Sequence, residues 1–168
     1  RYYRRRWGHL SNLKIISTDL ENQQDSILFS ERLEIQSDSY AKVVGNRLLF
    51  VLNAFNPLRF VPNRYQHRRL PFDVMRGYRD EEHYRIALPE GFQPEALPES
   101  TKISSEFGNY QLDVSYDAKT ESLVYDRTIL IREGRYPPEK YRAYRAFRKN
   151  IAKLEGQKAV LVRHTYPD

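Results

Sequence analysis

The stretch "SLVYDRTILIREGRYPPEKYRAYRAFRKNIAKL", residues 122–154, changes its period midway, and that change decides the fold. Residues 122–133 form the longest strand pattern in the sequence. Across 138–154 the period becomes helical. Pro138 suits a first helical turn, Glu139 favours the positive end of the helix dipole, and Gly156 stands where a C-terminal stop belongs. At about 100° per residue, Tyr141, Tyr144, Phe147, Ile151 and Leu154 gather on one stripe, with Arg142, Arg145, Lys149 and Lys153 opposite. "KAVLVRH" (158–164) then returns to strand. A helix held between two strands docks its apolar stripe on its own sheet and leaves the basic row to solvent. On that reading Phe147→Ala costs about 3–5 kcal/mol, and Arg145→Ala under about 0.5 kcal/mol.

Working outward, "NLKIIST" (12–18) is a strand candidate, and in "SILFSERLEI" (26–35) Ile27, Phe29, Leu33 and Ile35 share one face. "SYAKVV" and "RLLFVLN" flank Gly45-Asn46, a two-residue turn with glycine first, as a type II′ hairpin requires. Residues 56–71 hold three prolines and no clean periodicity, which marks a crossover or an edge excursion. "HYRIALP" (83–89) is a strand, and Asp80-Glu81-Glu82 before it has the character of a solvated turn. "TKISSEF" and "YQLDVSYD" flank Gly108-Asn109, a second hairpin candidate. The pattern predicts a mostly β fold: an antiparallel β-sandwich with one C-terminal α-helix packed on or across the sheet, followed by a final strand. Residues 1–9 are set apart as a basic junction, and 10–168 as a single β-sandwich domain with its helix over about 138–154.

At 168 residues the chain can bury a substantial core. It has no cysteine, which removes disulfides, thiolate metal sites and thiol nucleophiles, and leaves the compartment open. No run reaches the roughly 18 apolar residues that a membrane span needs. The net charge of +6 is uneven: "RYYRRRWGH" carries +4 and segment 138–154 carries +5, leaving −3 for the rest. Two local clusters do not favour nucleic acid as a partner. "RYYRRRW" does mix arginine with aromatic rings, as single-strand binders do.

Little here can carry chemistry. His9, His67, His83 and His164 lack metal-ligand spacing. Asp113 and Asp117, four apart, are too distant on a strand to share a proton. No serine lies in a nucleophile elbow, and the seven scattered glycines build no phosphate loop. "LPEGF" (88–92) is a strand end turning through Pro89 and Gly91. The expectation is a chain with no catalytic, cofactor-binding or metal-binding residues of its own.

Four stretches, "RRLPFDV" (68–74), "YRIALPEGFQPEALPES" (84–100), "FGNYQLDVSY" (107–116) and "REGRYPPEKYRAYRAFRKNIAKLEGQKAVLVR" (132–163), stand in a telling order. Together they resemble the C-terminal domain of unknown function of bacterial, Bacteroides-type transglutaminase-like multi-domain proteins. The resemblance covers roughly residues 10–164. It implies that any catalysis belongs to a Cys-His-Asp triad in a preceding domain, none of which this chain carries. It also implies that "RYYRRRW" emerges from that domain, and that the setting is periplasmic or the cell surface.

The resulting expectation is a non-catalytic accessory domain that orients a preceding transglutaminase-like domain or another protein, without membrane insertion. Oligomeric state is not legible. The alternative is a glycan- or polyanion-binding β-sandwich module. The residues singled out as a candidate interaction surface are Arg142, Arg145, Lys149 and Lys153.

Overall fold

The computed structural model describes residues 2–163. The chain divides into two compact units, 1–42 and 43–168, whereas the sequence suggested a boundary after residue 9. His164, the last residue of the "KAVLVRH" pattern, lies outside the described residues.

The first unit contains a short helix α1 (Tyr2–Arg6) and a ribbon of two strands, β1 (Ser11–Gln23) and β2 (Leu28–Asp38). Tyr3 and Trp7 stack at 5.3 Å. The strands are longer than the patterns "NLKIIST" and "SILFSERLEI" indicated. Ile27 does not join the strand face: it sits in the turn at φ 52° and is 95% exposed. Opposite residues pair Ile15 with Ile35, Thr18 with Leu33, Leu20 with Glu31 and Asn22 with Phe29. Directly paired side chains share a face, so Ile15, Leu20, Phe29, Leu33 and Ile35 gather on one face, together with Thr18, Asn22 and Glu31. Ser17, Asp19, Glu21, Arg32 and Glu34 lie on the other. A shift of register between Ile15 and Ser17 keeps that alternation in phase.

The second unit is mostly β. One four-stranded antiparallel sheet has the order β6-β10-β9-β8, from β6 (Tyr78–Ala87), β8 (Thr101–Ser105), β9 (Gly108–Asp117) and β10 (Ser122–Ile131). The other has the order β3-β4-β12-β7, from β3 (Lys42–Val44), β4 (Arg47–Val51), β7 (Phe92–Ala96) and β12 (Lys158–Arg163). Pro94 is tolerated in β7 because that strand is an edge. A small pair joins β5 (Phe72–Val74) to β11 (Gly134–Tyr136). Helix α2 (Tyr141–Glu155) is entered through a 3-10 turn at Pro138–Lys140 and leads directly into β12. The expected architecture of antiparallel sheets, one C-terminal helix and a final strand is observed, with no closed barrel.

Alternation in β10 builds the core: Leu123, Tyr125, Arg127, Ile129 and Ile131 are all buried. Tyr110 and Leu112 join them from β9, Ala159 and Leu161 from β12, and Phe147 and Ile151 from α2. The hairpin at Gly45-Asn46 is as predicted, with Gly45 at φ 58°. The second hairpin turns two residues earlier than predicted, at Glu106–Phe107, because Ser105 already pairs with Gly108. Phe107 thereby points inward, 2% exposed, against Phe72, Tyr136, Tyr144 and Phe147. Gly108, at φ 150°, serves close approach rather than the turn: a Cβ there would lie 1.9 Å from the Leu130 carbonyl oxygen.

Candidate interaction surface

Helix α2 presents its residues in three rows. Tyr141, Phe147, Ile151 and Glu155 are buried. Arg142, Lys149 and Lys153 lie on the opposite, exposed side. Arg145 and Arg148 are half-buried between these rows, so Arg145 is not the solvated residue that its spacing suggested. Its Nε donates to the Pro62 carbonyl at 2.9 Å.

That bond belongs to a series joining α2 to the irregular segment 56–71. The Tyr141 hydroxyl donates to the Asn63 carbonyl at 2.8 Å, and the Arg148 guanidinium lies 6.0 Å from the Phe60 ring. Farther along, Arg68 is 4.6 Å from the Tyr141 ring, 5.6 Å from Phe72 and 5.7 Å from Tyr65. The Arg68 Nε and Nη2 donate to the carbonyls of Leu70 and Pro71. The prolines deny this segment a ladder. The carbonyls of Pro62 and Asn63 are instead met by side chains of α2, and those of Leu70 and Pro71 by Arg68.

Beneath the helix lies a polar cluster that pattern reading did not find. Arg127, at an inward position of β10, has no side-chain exposure and is paired with Glu82 and, at 3.4 Å, with Glu155. Glu155 also accepts from the Tyr110 hydroxyl at 3.0 Å and from Asn53 at 3.3 Å. Asn56 donates to Glu82 at 2.8 Å, and the Tyr84 hydroxyl donates to Asn53 at 3.3 Å. The acidic run is therefore not a solvated turn. It lies inside β6, with Asp80 and Glu82 on the inward face and Glu81 outward. Period-two alternation in "YRDEEHYRIA" is the signal that could have placed it.

Burial holds the Glu155 carboxyl above its ordinary value against the pull of Arg127. Burial also raises the Tyr110 phenol, helped by the Glu155 charge. For Arg127, burial acts to lower the pKa, but the hydrogen bond to Glu82 and the charges of Glu155 and Glu82 outweigh it. One guanidinium thus serves two carboxylates in a closed site. This geometry locks the last turn of α2 to β6, β9 and β10.

His83 accompanies Asp126 on the outer face of the same sheet, 2.5 Å from Nδ1 to Oδ1. This pairing across strands is invisible to spacing along the chain. Asp113 and Asp117 both face outward, taken respectively by Gln111 and by Thr120 with Lys119. Among the described residues no group of three His, Cys, Asp or Glu could hold a metal ion. The "LPEGF" stretch is a turn, with the Phe92 amide donating to the Pro89 carbonyl and Gly91 at φ 75°. Phe92 lines a depression with Val43, Leu48 and Arg163, whose guanidinium lies 5.1 Å from the Phe92 ring. No helix among the described residues is long and apolar enough to cross a membrane.

Antiparallel sheets, a docked C-terminal helix and a solvent-facing basic row define a mostly β domain. Over residues 46–161 the chain matches the DUF3858 family, a domain of unknown function with a solved structure, and it belongs to that family. It is similar to a crystal structure of a proposed protease from Parabacteroides distasonis, with 16% identity and a TM-score of 0.56. The similarity covers 70% of this chain and 24% of that one, and is a likeness of fold. No curated protein matches the sequence.

Proposed function

We propose that this chain is a non-catalytic accessory domain that orients a neighbouring transglutaminase-like domain in an exported bacterial protein. The observation that carries this reading is the β1–β2 ribbon. Its polar face is made to meet water, while Leu20 and Phe29 on the other face are 57% and 61% exposed, and Leu28 at the tip 49%. Antiparallel strands that gather their apolar side chains on one face ordinarily pack that face against a core, and a two-stranded hairpin alone is marginally stable in water. A neighbouring domain laid on that face would supply the missing cover. The similar fold occupies about a quarter of a longer chain, which supports a multi-domain setting.

Peptide mapping of the native protein by mass spectrometry tests the reading. Peptides continuing upstream of Arg1 into sequence with cysteine, histidine and aspartate in transglutaminase order are the expected result. A native chain beginning at Arg1 would overturn it. So would hydrolase or transferase activity on peptides in the purified domain.

A further inference from the structure

The fold brings together two basic stretches that are far apart in sequence. Segment 56–72 carries Arg59, Arg64, Arg68 and Arg69 and no carboxylate. Helix α2 over 141–154 carries Arg142, Arg145, Arg148, Lys149 and Lys153, again with no carboxylate. The bonds from Arg145 to Pro62 and from Tyr141 to Asn63 lay the segment along one flank of the helix, beside its exposed basic row. Nine cations therefore lie on two adjoining elements, with Arg68, Arg145 and Arg148 held where the two meet. Among the described residues none of them forms an ion pair, although Arg47, Arg79, Arg85, Arg127, Arg135 and Lys140 elsewhere in the unit all do. Arg59, Arg64, Arg69, Arg142, Lys149 and Lys153 are exposed. Crowding like charges on a fixed platform is self-repelling, and it creates a strong local potential for an anion.

We infer that this composite face binds a linear anionic polysaccharide, of the sulfated or uronate class. From Arg142 to Lys153 the helix runs about 17 Å, a strip that spans several anionic groups of a polymer rather than one small ion. Arginine forks suit sulfate and carboxylate oxygens in bidentate contact. A single-stranded nucleic acid would need aromatic rings open for base stacking. The two exposed rings on this face, Phe60 and Tyr65, each carry a guanidinium beside them, from Arg148 and Arg68. Charge is thus the means of recognition. The inference does not depend on the accessory-domain reading, since it draws on α2 and segment 56–72 and on no residue of the ribbon.

Heparin affinity of the full chain tests it, with heparin as the probe. The wild type is expected to be retained at about 0.15 M salt. The exposed triples Arg59→Gln/Arg64→Gln/Arg69→Gln and Arg142→Gln/Lys149→Gln/Lys153→Gln are each expected to weaken binding by about tenfold or more. Their thermal midpoints should stay unchanged, and Arg4→Gln/Arg5→Gln/Arg6→Gln should bind as the wild type does. Hydrogen exchange of the wild type with a heparin oligosaccharide gives a readout that needs no variant, with protection expected on both 56–72 and 141–154. Absence of retention, loss confined to the N-terminal triple, or protection elsewhere would overturn the site. Tighter binding of single-stranded DNA of equal charge would overturn the polysaccharide.

Discussion

Arg127 shows what one residue can decide. It stands in a strand pattern where the alternation calls for an apolar side chain, and it is buried with no side-chain exposure. Removing one member of a buried ion pair leaves the other charge without compensation, so Arg127→Ala should cost about 3–5 kcal/mol in urea unfolding. Glu155 supplies the matching pH test. Its folded pKa is raised above the ordinary 4.5, so its contribution to stability is fully present below that value. The contribution is lost as pH rises through the raised folded value. Glu155→Gln should remove this loss, and its stability should fall less than the wild type's between about pH 4 and pH 7. Gly108 is fixed by space. Gly108→Ala would drive a Cβ into the Leu130 carbonyl, at a cost of more than about 4 kcal/mol. Gly45→Ala, with nothing within 4 Å, should lose only about 1 kcal/mol from its positive φ.

At the scale of elements, α2 is held by unlike contacts on its two inner rows. Phe147, 4% exposed and against Phe107, is a core residue, and Phe147→Ala should cost about 3–5 kcal/mol. Arg145→Ala should lose about 1 kcal/mol with the bond to Pro62, more than the spacing implied. Arg142→Ala, on the exposed row, should stay within about 0.5 kcal/mol. Thermal melts of the three variants rank these rows directly. Helix α2 and the Gly45-Asn46 hairpin were legible in the sequence because a period or a glycine turn states them locally. The extent of β6 was not. Its acidic residues mimic a turn until Arg127 is seen opposite Glu82, a pairing separated by 45 positions.

For the whole molecule, the division into two units has a measurable consequence. The ribbon rests on backbone pairing and a largely exposed apolar face, whereas β9 and β10 are paired on both sides in a closed core. Native-state hydrogen exchange should therefore find the β1–β2 amides opening with little free energy, and those of β10 opening only with global unfolding. Uniform protection across both units would refute that contrast. By itself the sequence determined the strand-rich class, the one late helix, the Gly45 hairpin and the lack of any thiol chemistry. Each of these follows from composition or from a period within a few turns of chain. Only the tertiary structure decided that Arg127 shares two buried carboxylates, that Arg145 is tied to Pro62, and that segment 56–72 lies beside α2. These depend on which distant residues meet, and in a chain that alternates the same few side-chain types, contact at long range is set by packing rather than by neighbours in sequence.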